Sequence, residues 1–353
     1  MIGNKVSGVA MGTPGSISAV IALAAVIALC SALAAATGSL NHPTGTQGLF
    51  LVDKLGAHLR FFDAKTFQEQ SSIEVQANPH DLVLSADHKF AYVPIYGDGV
   101  YGKNPHPGHE VLIVDLAARR LAATIDVAPY RAPHGIQIDQ SGNLYVTCDL
   151  DRRLLVIDPR SRKVEAAIDT EGTGHWIALL PDASKIYVTN KEDKPYVSVI
   201  DLKARKMTAR VPAPAGSEGV AASPSGDTVV VMDHAEPVMI VIDPRTDRVT
   251  DRIPLKNQTK GAYKVYFSPD GKRLLTMNLG EQLVTIFDAA NLRGGQKLVS
   301  VGKGPMGFAF SADGKLVLVA NHNDGSVSVI DLDTSRVVKT FRGGTGIETL
   351  AYY

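Results

Sequence analysis

Ten histidines are the residues of this 353-residue chain best able to do chemistry, and three of them stand in matching surroundings: Pro79-His80-Asp81, Pro133-His134-Gly135 and Gly174-His175-Trp176. Two carboxylates occupy comparable places, in Ser217-Glu218-Gly219 and Gly346-Ile347-Glu348. Imidazole and carboxylate together suit zinc, copper or iron. His80, His134 and His175 are therefore candidate metal ligands, and Glu218 and Glu348 candidate acid or base groups. The same five side chains could hold a polar ligand, or each histidine could simply bond nearby backbone and fix its loop. Cys148 is either a soft ligand or a buried, idle thiol; the other cysteine, Cys30, lies in an apolar amino-terminal stretch. No G-x-S-x-G elbow, P-loop, H-E-x-x-H or C-x-x-C occurs, so the serine-hydrolase, nucleotide, zincin and dithiol chemistries have no anchor. Lys+Arg and Asp+Glu are both 36, which gives no electrostatic case for nucleic acid.

A repeat must position these residues. The strings ending at Asp63, Asp115, Asp158, Asp201, Asp243, Asp288 and Asp331 are variants of Val-Ser-Val-Ile-Asp, spaced 52, 43, 43, 42, 45 and 43 residues apart. Between them fall tight-turn signals, clearest in Ser223-Pro224-Ser225-Gly226, Ser268-Pro269-Asp270-Gly271 and Ser311-Ala312-Asp313-Gly314. Each joins two short apolar runs, as a hairpin turn does. Each repeat then holds four strands, A to D, and four strands in about 43 residues make a β-propeller blade. Seven C strands accompany only six A–B turns. Ile347 to Tyr353 reads as a strand A with nothing after it, and Gly48 to Asp53 as a strand B with nothing before it. The expected fold is an all-β, seven-bladed propeller of four-stranded antiparallel blades over residues 48–353, with one closing blade shared by the two ends and inner strands starting near residues 81, 135, 176, 219, 264, 307 and 347.

Leu144-Tyr145-Val146-Thr147-Cys148 and Ile186-Tyr187-Val188-Thr189-Asn190, each followed by a Val-Ile-Asp strand, resemble the YVTN-repeat β-propellers. That family comprises exported or surface proteins of bacteria and archaea, commonly seven-bladed, with no shared activity. The resemblance implies the fold and an extracytoplasmic setting.

In such a ring the D–A and B–C loops share one face. His80, His134 and His175 fall in D–A loops at the channel mouth, and His106, His109, His234 and His322 in B–C loops. The B–C loop of the first complete blade carries nine extra residues, between Tyr96-Gly97-Asp98 and Gly108-His109-Glu110. Added loops on repeat scaffolds commonly serve binding. Tyr96, Asp98, His106, His109, Trp176, His234 and His322 are the candidate ligand-binding face. Glycine after the D–A position is read as a turn requirement.

Residues 1–36 carry one basic residue, Lys5, then an apolar stretch ending in Ala34-Ala35-Ala36. This reads as a secretory signal, or as an uncleaved anchor, since twenty apolar residues can span a bilayer. Residues 37–47 read as a flexible lead. The expected protein is periplasmic or secreted. It is a non-catalytic binding or scaffold protein that takes a protein or small molecule on its loop face, with membrane contact only through an uncleaved anchor. The alternative is a metal-dependent exported enzyme, an oxidoreductase or a lyase or hydrolase; a third reading is an accessory subunit of a periplasmic redox complex.

Overall fold

A computed structural model describes residues 48–353 except Gly102 and Glu192, together with Met1 and Gly8. The expected signal or anchor and the lead otherwise lie outside the described residues. Among the described residues, no helix is long and apolar enough to cross a membrane.

Seven four-stranded antiparallel sheets form the ring. Blades 2 to 7 run consecutively, with inner strands Val83–Leu84, Pro133–Ile138, Ile177–Leu179, Ser217–Ala222, Lys264–Phe267 and Pro305–Phe310. Blade 1 pairs Ile347–Tyr352 with Leu49–Asp53, followed outward by His58–Phe62 and Glu69–Glu74. The expected inner-strand starts hold to within two residues. The sequence signals act locally. All seven strand-C aspartates accept backbone N–H groups of the following turn, as Asp115 does from Ala118 at 2.8 Å and Asp201 from Ala204 at 2.7 Å. In the A–B turns Ser268 Oγ accepts from Arg273 N at 2.9 Å and donates to Asp270 at 2.6 Å; Ser311 and Asp313 repeat the arrangement.

Each strand buries apolar side chains against the next blade, giving seven interblade layers. The inner strands crowd most closely at glycines. A Cβ on Gly135 would lie 2.6 Å from the His175 carbonyl oxygen, one on Gly219 2.6 Å from Lys264 Cα, and one on Gly307 2.7 Å from the Glu348 carbonyl oxygen. Here glycine answers the approach of the neighbouring blade, a correction to the turn requirement expected from sequence.

Closure rests on Asp53, which is fully buried. Its carboxylate accepts from the amides of Gly346 (2.8 Å), Thr345 (3.0 Å) and Gly56 (3.1 Å) and from Arg60 Nε (2.8 Å). Burial opposes its charge, but these amides and Arg60 outweigh burial and hold its pKa below the ordinary carboxylate value. Asp53→Ala strands this set of donors and should lower the unfolding free energy at pH 7 by about 3–5 kcal/mol in urea titrations. A depressed folded pKa contributes stability above the unfolded value of about 3.9 and loses it as pH falls through the folded value. The gap between wild type and variant should therefore be full above about pH 4 and narrow below it.

Candidate functional site

Strand pairing slips at the start of the inner strands of blades 1, 3, 5 and 7, where a bulge separates Ile347 from Thr349, Pro133 from Ile136, Ser217 from Val220 and Pro305 from Gly307. A bulge re-aims a side chain. At the bulge, or at its counterpart in blades 2, 4 and 6, stand in ring order Glu348, His80, His134, His175, Glu218, Tyr263 and Met306. Five consecutive blades thus present Glu-His-His-His-Glu to one opening.

The structure brings these five together. Ring centroids of His80 and His134 are 4.0 Å apart, and those of His134 and His175 4.2 Å, with planes tilted by 44° and 31°. His175 Nε2 lies 3.1 Å from Glu218 Oε1, and His234 Nδ1 3.1 Å from Glu218 Oε2. Glu348 is the looser mirror image: His80 Nε2 is 3.5 Å from its Oε1, while His322 Nδ1 and Lys54 Nζ are 3.3 and 3.5 Å from its Oε2. The arc His322–Glu348–His80–His134–His175–Glu218–His234 is therefore continuous. Among the described residues no group of three or more His, Cys, Asp or Glu is placed to hold a metal ion.

Burial sets the charges. His80 and His134 are 4% and 2% exposed. Desolvation first, then neighbouring imidazoles and lysines, push both pKa values well below the ordinary one, so both rings are neutral at pH 7. Burial likewise lowers His175, against the pull of Glu218. Burial opposes ionisation of Glu218 and Glu348, yet His175 and His234 for the first, and Lys54, His322 and Lys264 for the second, hold both below the carboxylate range. Two ionised carboxylates thus bracket neutral imidazoles.

Trp176 and Tyr96, both expected on this face, wall the mouth. Trp176 lies 4.5 Å from His134 and 4.9 Å from His175, and Tyr96 5.3 Å from His134. Asp98, His106 and His109 stand apart: His106 pairs with Asp98 on the exposed loop, and His109 pairs with Asp126 across exposed strand positions, His109 lying in Pro107–Asp115 rather than in the loop expected from sequence. Cys148 is buried in the layer between blades 2 and 3, and burial pushes its thiol pKa up.

Three contributors escape sequence reading. Lys264, one residue beyond Tyr263, is 3% exposed and places Nζ 3.6 Å from the centre of the Trp176 ring. Burial works against its charge, but Tyr266, Asp81 and Glu348 hold its pKa above the ordinary value. Tyr101, in the extended loop of blade 2, crosses to blade 4, donates to the Thr173 carbonyl at 2.6 Å and meets the His175 ring edge-on at 4.5 Å. Asp149 accepts from Tyr96 Oη at 2.7 Å, and burial pushes its pKa up to about 6. The repeat period, extended by one residue, would have reached Lys264; Tyr101 lies in an insertion with no repeat partner. Below the arc lies a half-open cleft of about 220 Å³, bordered by Asp81, Gln137, Trp176, Lys264 and Tyr266 and, toward the A–B turns, by Pro224 and Pro269.

Solved structures share this architecture. Hydrazine synthase of Kuenenia stuttgartiensis matches with a TM-score of 0.68 at 21% identity, covering 81% of this chain and 92% of that one. A functionally unknown protein of Desulfotomaculum acetoxidans matches at 0.72 and 12%, covering 87% and 98%. The β-propeller domain of Cps50 (Swd1) from Myceliophteria thermophila matches at 0.64 and 14%, covering 78% and 89%. At these identities the likeness is one of fold. No curated protein matches the sequence. Residues 248–342 match the family described as lactonase, 7-bladed beta-propeller. Residues 51–268 match a second family over well more than half of the chain, including every blade from His80 to Glu218, and the chain belongs to that family, the cytochrome D1 heme domain.

Proposed function

We propose that this protein is a ligand-binding propeller whose site is the mouth of the central channel on the D–A/B–C loop face, and that it acts by binding after export. The observation that carries this reading is a concentration of buried polar atoms with no partner in hydrogen-bond geometry. They are His80 Nδ1, His134 Nδ1, His175 Nδ1 and Trp176 Nε1. Each such atom costs roughly 1–3 kcal/mol, and a closed structural core does not gather them at one opening. A polar ligand with donors for the imidazoles and acceptors for Lys264 and Trp176 would match this lining. Export is supported by the amino-terminal pattern of a basic residue, an apolar stretch and small residues.

The family description names a heme, and these residues do not fit one. All three imidazoles are at least nineteen-twentieths buried. The rings pack on one another and under Trp176 and Tyr101, so no flat slot opens beside them. The cavity beneath, about 220 Å³, falls short of the ~300–1,000 Å³ typical of sites for larger ligands.

Groups kept for a ligand rather than for folding leave the protein less stable than it could be. His134→Phe should therefore raise the unfolding free energy by about 1–3 kcal/mol, measured by denaturant titration with EDTA present. Loss of stability in this variant would assign the ring to folding and overturn the reading. Titration of the wild type with hemin should leave the Soret band where free hemin has it.

A further inference from the structure

We infer that the cleft below the imidazoles is a second binding site, which takes a small organic carboxylate against Lys264. This goes beyond the reading of the mouth: none of His80, His134 and His175 borders the cleft.

A buried positive charge marks the site. Lys264 is 3% exposed, and Tyr266, Asp81 and Glu348 keep it protonated against burial. An ammonium carries three donors, and it needs a counter-charge once it leaves water. Lys264 Nζ stands 3.6 Å from the centre of the Trp176 ring, a face that attracts a cation but carries no net charge. Tyr266 is its polar neighbour. No carboxylate among the described residues lies within hydrogen-bond distance of Nζ. The acids that favour its charge therefore act at longer range, and the space beside the ammonium is the cleft.

The lining has two charged residues, Lys264 and Asp81. Asp81 is turned to backbone: its carboxylate accepts from Leu82 N at 3.0 Å. Burial raises its pKa, which weakens its charge toward an incoming anion. Trp176, which also borders the cleft, carries in Nε1 a buried donor without a partner. Anionic oxygen suits both donors; a cation or an apolar molecule suits neither.

Walls and volume define the rest of the ligand. The inner strands of blades 4, 5 and 6 line the cleft with apolar residues, among them Leu179, Val220 and Phe267. An apolar cavity of about 150 Å³ holds benzene, so the cleft, at about 220 Å³, has room for a ring bearing a carboxylate. The occupant is a monoanion with a short apolar body.

The test titrates the full-length protein with benzoate at pH 7. It reads calorimetric heat and the emission of Trp176, the single tryptophan. The expected result is one benzoate per chain, with both signals saturating together. Benzamide has the same shape without the charge, and acetate the same head without the ring. Each should bind about 10-fold more weakly or worse. Lys264→Met should weaken benzoate by about 10-fold or more, with far-UV circular dichroism reporting that the variant is folded. Absence of saturable benzoate binding overturns the inference. So does benzamide or acetate binding as tightly as benzoate, or full-strength binding to folded Lys264→Met. The comparisons on the wild type decide the matter even where Lys264→Met fails to fold. Loss of benzoate binding in folded His134→Phe assigns the anion to the mouth; it overturns the second site and leaves the ligand-binding reading of the mouth in place.

Discussion

The ring depends on one long-range interaction: a carboxylate near one end of the propeller binds the backbone near the other. Asp53 and Gly346 are 293 positions apart in sequence, yet their 2.8 Å hydrogen bond joins adjoining strands of one sheet. The pairing leaves no open strand edge where the ring would otherwise part. It also has a local consequence at the site. Glu348 lies two residues beyond Gly346, in the bulge of that same strand, and reaches His80 only because the strand is docked. The interaction that closes the fold therefore also completes one side of the polar arc.

The mouth shows how a scaffold of near-identical units builds an asymmetric centre. Every blade delivers one side chain to the opening from the same backbone position. Backbone geometry is thus repeated sevenfold, while chemistry is set by residue choice alone. Three imidazoles occupy neighbouring blades, a carboxylate stands on each flank, and Tyr263 and Met306 complete the circle. Lys264 enters from the next position in depth, over the indole of Trp176. The result is a buried polar surface on a frame whose seven interblade layers are almost wholly apolar.

The sequence made the fold legible because its signals are short-range. An aspartate at the end of strand C caps the turn two or three residues later, and a serine in the A–B turn binds the amide five residues on; neither needs distant information. The histidines were legible for a related reason, since each holds the same phase in its repeat. Lys264 sits one step out of that phase and was passed over. The partners of Trp176, His234 and His322, which are Lys264 for the indole and the two glutamates for the imidazoles, depend on side-chain packing across blades. Asp98 and His106 share a loop with Tyr101, yet Tyr101 alone of the three turns inward, because the path of an insertion is set by what it lands on. The glycines were recognised and their cause misread: the crowding that requires them comes from the adjacent blade, which no local pattern records.

Tyr101 lands on backbone carbonyls, those of Thr173 and Asn190. Side-chain changes at its landing place therefore leave its grip intact, and only movement of the loop releases it. Giving up one or two hydrogen bonds and a ring contact requires roughly 1–3 kcal/mol, which leaves the uncovered state populated at about 0.6–15%. Arrival at His175 past this strap is then limited by how often the tyrosine lifts, and so is departure. A propeller with a rigid frame thus has a slow latch, and an occupant once seated would exchange on the timescale of a loop rather than that of diffusion.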